Sequence, residues 1–178
     1  REHEADTIFW LLVRLLASAQ QNRIVSEAIG IVDPMEVMEF NQIAWYLEMI
    51  GDRLNAVANN ILALEEKRTD DDEDLFERLS QIGLIVFTMF DQAMKSVFDG
   101  DLKVASDAVD LYDAVGQEEE SLLKEFQQKH DPELVAHVNE IAWELRIIAE
   151  YSSAIATISI DKVLWGENDI CTVLVEED

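Results

Sequence analysis

The sequence has one cysteine, two prolines, six glycines and three histidines in 178 residues. A single thiol, Cys171, excludes an internal disulfide and a thiolate zinc site. So few glycines and prolines exclude a sandwich or barrel, which needs turn residues every ~8–12 positions. Basic residues are also scarce, 13 against 38 acidic ones, for a formal net charge of −25. Such a surface repels phosphate backbones, so this segment is not expected to grip nucleic acid. Its longest strongly apolar run, Ile82 to Phe90, is far shorter than the ~20 residues of a membrane helix, and no signal peptide opens the chain. No membrane insertion is expected, and the location implied is cytoplasmic.

What is present is a core-forming composition, 49% hydrophobic and 29% charged, which excludes disorder. The acidity reads either as a solvated surface suited to a salty cytoplasm or as carboxylates that bind cations. Ala5, Ile8, Leu12, Leu15 and Ala19 follow helical spacing and predict a first helix to about Gln20, then a connector over 21–33. Asp33-Pro34 starts a second helix, running to about Glu66 on a stripe of Ile43, Leu47, Ile50, Leu54, Val57 and Ile61. The acidic run Thr69 to Asp74 introduces a third, expected to be the most buried, through Leu75, Leu79, Ile82, Val86, Met89, Phe90, Met94 and Val97. Gly100-Asp101 separates it from a fourth helix reaching about Lys129, and Asp131-Pro132 starts a fifth that passes Ile160. The tail from Trp165, with a β-prone run over Ile170 to Val175, has no assigned structure.

The segment Asn41 to Asp52 lies over Asn139 to Glu150 at a constant offset of 98, with Asn, Ile, Ala, Trp, Leu and a second Ile coincident. A helix repeated at that distance implies a duplicated unit of about three helices. The chain opens at Arg1 inside a helical pattern with no capping residue, so a preceding portion is expected. Three organisational segments follow: a two-helix first repeat over 1–68, a three-helix second repeat over 69–164 and a tail over 165–178. With only two helices, the first repeat should be open along one side, which favours a homodimer.

On the second helix Asn41, Trp45, Glu48, Asp52, Asn55 and Asn59 form one face beside the core stripe. Its oxygen-bearing side chains are hard-cation ligand types. Glu2 and Asp6 continue the line of Phe9, Val13 and Leu16, and acids there call for neutralisation. Facing residues of an antiparallel hairpin have a constant sum of numbers, and Glu2 with Asp52 and Asp6 with Glu48 satisfy one sum, 54. Glu2, Asp6, Glu48 and Asp52 are therefore the candidate metal ligands. By the same rule Asp113 faces Glu150 and Gln117 faces Arg146, whose guanidinium is expected to neutralise Asp113 or Glu150 in place of an ion. Acid pairs at i,i+4 are frequent in so acidic a chain, and a solvated pair is the bland alternative.

Enzyme chemistry has no constellation here: no Glu-x-x-His pair, no nucleophile with a base and no glycine-rich phosphate loop. His3, His130 and His137 are scattered and read as surface residues, and the Trp and Met positions read as core.

Leu47-Glu48-Met49-Ile50-Gly51-Asp52 resembles the Leu-Glu-Arg-Ile-Gly-Asp segment of the PhoU family of phosphate-uptake regulators, with Met49 in place of the Arg. Phe98-Asp99-Gly100-Asp101-Leu102 is similar to that family's turn between helices, and Arg1 to Asp6 to the start of its second helix. The resemblance spans residues 1 to about 160 and is nearest in type to archaeal members with an AbrB-like DNA-binding domain ahead of the bundle. It implies an all-α fold of tandem three-helix-bundle repeats, here without the first helix of repeat 1. It also implies a metal ion or cluster, iron or zinc, on facing Glu/Asp-x-x-x-Asp motifs, a dimer, and contacts with phosphate-transport or sensor proteins. Arg146 and Glu150 stand where a second repeat would carry Glu and Asp, so the second metal site reads as lost. The alternative is a metal-free dimerisation or adaptor bundle attached to a DNA-binding or transport-related module.

Overall fold

A computed structural model describes residues 2–66, 73–126 and 132–167, with side chains over 5–66, 73–126 and 132–165. All of the regular structure among them is helical: α1 (Glu2–Gln21), α2 (Arg23–Ala28), α3 (Pro34–Glu65), α4 (Glu73–Asp99), α5 (Leu102–Phe126) and α6 (Pro132–Glu167). Five are the long helices expected. The sixth, α2, occupies part of the segment read as a connector, where Asn22 caps it by accepting from the Ile24 N–H at 3.0 Å. Gly30, at φ +78°, closes it.

Local chemistry sets the other boundaries that were legible. Asp33 caps α3 by accepting from the Met35 N–H at 2.8 Å, and Glu36 reaches back to the N–H groups of Val32 and Asp33. Gly100, at φ +66°, ends α4, and Asp101 starts α5 by accepting from the N–H groups of Lys103 and Val104. Asp131, the run from Thr69 to Asp72, Lys129 and the β-prone tail lie outside the described residues.

Helix α6 is the hub. It packs on α3, α4 and α5; α4 and α5 also pack on each other, while among the described residues α3 packs chiefly on α6 and α1. The most enclosed helix is therefore α6 and not α4, because three neighbours surround it. Side chains from α3 to α6 build one core, with Met89, Val115, Ile141 and Ile155 fully enclosed. The seam expected on α4 is in place: Leu75, Leu79, Ile82, Val86 and Met89 are buried, and Phe90, Met94 and Val97 pack beside them. A second, smaller cluster joins Leu16, Ala19, Ile31 and Val37 at the α1–α3 end.

Two stripes were misplaced by the spacing. On α1 the buried residues are Phe9, Leu16 and Ala19, whereas Ile8 and Leu15 face outward. On α3 Ile43, Ile50 and Val57 are buried, but Leu54 and Ile61 are exposed. Both helices are apolar around a wider arc than their neighbours cover, so periodicity alone selected the wrong flank. The tryptophans are not core either: Trp10, Trp45, Trp143 and Trp165 are all about half exposed or more.

Candidate functional site

The α1–α3 hairpin carries the candidate ligands. Its register is fixed by Phe9, whose ring meets that of Trp45 edge-on at 4.8 Å between centroids and 70° between planes. That pair obeys the same constant-sum rule as Asp6 with Glu48, which lie three residues further along each helix in the matching sense. Asp6 and Glu48 are both partly buried, and Asp52 is exposed a turn beyond. Glu2 belongs to the first turn of α1, and its side chain is outside the described residues. Among the described residues no three His, Cys, Asp or Glu side chains come together as a group able to hold a metal ion. The hairpin thus has the expected register, without a three-ligand group among the described side chains.

Of the remaining face, Asn41 lines an open groove of about 420 Å³ with Met38, Gln42, Trp45 and Tyr46. Asn55 and Asn59 are exposed, so the C-terminal half of this face looks at water and not into a bundle groove.

In the second hairpin Arg146 turns to Tyr112 and not to Asp113 or Glu150, the acids it was expected to neutralise. Its Nη1 donates to the Tyr112 carbonyl at 3.1 Å, and its guanidinium carbon lies 3.9 Å from the centre of the Tyr112 ring. Gly116 makes room for it; a Cβ there would occupy the same space as the guanidinium. Asp113, Gln117 and Glu150 are exposed. A planar cation gains from an aromatic face and a carbonyl at the crossing, and water already solvates the carboxylates. Burial pushes the carboxyl pKa of Glu119 up, and the nearby Arg146 partly opposes that.

Sequence reasoning missed a polar ladder between α3 and α6. Tyr46 stacks on Tyr151 at 5.5 Å, Arg53 Nη1 donates to both oxygens of Glu144 at 3.2 and 3.3 Å, and Asn60 Oδ1 lies 2.9 Å from His137 Nδ1. The three rungs follow each other at seven residues on both helices, in one antiparallel register. Glu144 is only 3% exposed, and Arg53 Nε has no protein partner among the described residues. His137 is thus an interhelical residue and not a surface one. The heptad spacing of Tyr46, Arg53 and Asn60 was the available signal. Beyond the ladder, Lys162 meets Glu36 at 2.8 Å and covers the Phe40 ring. Burial works against Glu36 as an anion, but Lys162 and two backbone N–H groups win and hold its pKa below the usual range. Burial pushes the pKa of neighbouring Glu39 up, with Lys162 opposing.

The class that the fold defines is an all-α helical bundle, and among the described residues no helix is long and apolar enough to cross a membrane. No family model, no curated protein and no solved structure matches this chain.

Proposed function

We propose that the chain is a PhoU-like regulator of phosphate uptake that works through protein contacts and binds a metal ion at Glu2, Asp6, Glu48 and Asp52. The observation carrying this reading is the Phe9–Trp45 contact, which sets α1 and α3 in the register that those acids require. The duplication adds support. Asp33-Pro34 and Asp131-Pro132 are also 98 residues apart, and Ile43, Ala44 and Ile50 are buried like Ile141, Ala142 and Ile148. In this reading the protein is a cytoplasmic homodimer with no catalysis of its own, its partners are phosphate-transport or sensor proteins, and the ion is divalent iron or zinc. Facing carboxylates repel each other, and a cation relieves that cost.

Elemental analysis of protein purified without chelator tests it. Wild type should retain stoichiometric metal through dialysis, and Glu48→Gln/Asp52→Asn should lose it with an unchanged helical circular dichroism spectrum. Metal-free wild type would overturn the metal centre. The absence of a three-ligand group among the described residues favours the second reading in that case, a metal-free adaptor bundle.

A further inference from the structure

The three rungs of the α3–α6 ladder define the place of a fourth. Tyr46, Arg53 and Asn60 meet Tyr151, Glu144 and His137 at steps of seven residues in one antiparallel register, and the Glu36–Lys162 bridge lies in nearly the same register beyond Tyr46. One heptad before Tyr46 on α3 is Glu39, and one heptad after Tyr151 on α6 is Ile158. The offset of 98 relates the two ends of the ladder: Glu39 corresponds to His137, and Ile158 corresponds to Asn60. At one end a titratable side chain finds an amide 2.9 Å away, whereas at the other the register sets it against a hydrocarbon. Ile158 packs on the core and offers no polar side-chain atom, and Glu39 Oε2 is buried with no hydrogen-bond partner among the described residues. An ionised carboxylate suffers more from that loss of partners than the neutral acid does.

We propose that Glu39 is a proton-operated latch on this end of the α3–α6 contact, closed when the carboxyl is protonated and loosened when it is ionised. The charges that bear on it are Asp33 and Glu36 from its own helix end and Asp161 and Lys162 from α6. Lys162 is the one cation of the four, and it is engaged: its Nζ lies 2.8 Å from Glu36 Oε1 and covers the Phe40 ring. On α1, the other helix packed on α3, the described charged side chains are Asp6 and Arg14. Asp6 lies level with Glu48, more than two turns away, and Arg14 is exposed. Burial is the largest influence on Glu39 and pushes its pKa up; Lys162 opposes, and the three acids add to the rise. Glu36, which burial also opposes, is held below the usual range by Lys162 and two backbone N–H groups, so its bridge persists while Glu39 takes up a proton. A carboxyl raised in this way contributes stability that is present below its unfolded pKa, near 4.5, and lost as pH rises through the folded one. The loosening reaches the seat of α1, because Val37 and Phe40 pack with Leu16 and Ala19 in the small cluster. Glu39 lies nine residues before Glu48, so the latch does not depend on the metal reading.

The test compares the full chain with Glu39→Gln, which keeps the shape of the side chain and fixes it uncharged. Any offset that the amide introduces is constant with pH. Between about pH 4.5 and about pH 8 the urea midpoint of wild type should therefore fall progressively relative to that of the variant. Amide exchange locates the effect. For Val37 to Ile43 the ratio of wild-type to variant exchange rates should rise several-fold over that range, whereas around Asn60 and His137 it should stay constant. In carbon NMR spectra of wild type the Glu39 carboxyl should titrate above its unfolded value, and higher still in Lys162→Met, which removes the opposing charge. Parallel urea profiles overturn the proposal, and so does a Glu39 carboxyl that titrates at or below the unfolded value. An exchange ratio that rises equally at both ends of the ladder overturns it too, because ionisation would then weaken the whole contact and not its end. The carboxyl titration is read on wild type and decides the matter even where the variant folds poorly.

Discussion

Glu144 sits in a site that is nearly closed to water, and the guanidinium that meets it arrives from 91 residues away in the chain. Removing one member of such a pair is costlier than removing both, because the remaining ion stays desolvated. Arg53→Ala should therefore destabilise the protein by about 2–3 kcal/mol, below the range for fully enclosed pairs because Arg53 retains 32% of its side-chain exposure. Arg53→Met/Glu144→Leu should return to within about 1 kcal/mol of wild type. Urea midpoints at unchanged slope measure both. A single mutant as stable as wild type would mean that water reaches Glu144. The pair also marks a limit of sequence reading. The heptad rhythm of Arg53 and Glu144 is visible on each helix, but an antiparallel partner that distant is chosen by tertiary packing, which no local pattern encodes.

At the scale of single elements, boundaries were legible because caps are local chemistry. Asp33-Pro34 and Gly100-Asp101 announce their helices within four residues, and the structure uses them as read. Asn22, which caps α2, carries the same kind of signal, but its six-residue helix buries no side chain and left no periodicity to find. Which flank of α1 and α3 is buried was not legible, since Leu54 and Ile61 are as apolar as the residues packed on α6. For the candidate site, the register of Asp6 against Glu48 followed from counting residues, while the direction of each carboxylate depends on rotamers that a sequence does not fix. The exposed flank of α3 gives a second stability test. Gly51 sits mid-helix with ordinary backbone angles and open space beyond its Cα. Gly51→Ala should stabilise by about 0.5–1 kcal/mol, through the lower backbone entropy of alanine in the unfolded chain. A rise of roughly 1–4 °C in Tm by calorimetry is the expected reading.

Across the whole molecule the order of contacts is simple: α1 rests on α3 and α2, α3 on α6, and α6 on everything in the second hairpin and its preceding helix. Two hydrophobic clusters follow that order, a large one centred on α6 and a small one beneath α1. Among the described residues no backbone contact ties α1 to α4, α5 or α6, so it can come away without disturbing them. Native-state hydrogen exchange reads this as a staircase. Amides of α1 should exchange through an opening that costs much less than global unfolding. Those of α3 should need a larger opening that exposes the Arg53–Glu144 rung, and those near Ile141 and Ile155 should exchange only when the whole chain unfolds. Equal protection in α1 and α6 would show instead that the two clusters melt as one cooperative unit. A stepped profile would give the protein a hinged leaf whose detachment leaves its interior dry.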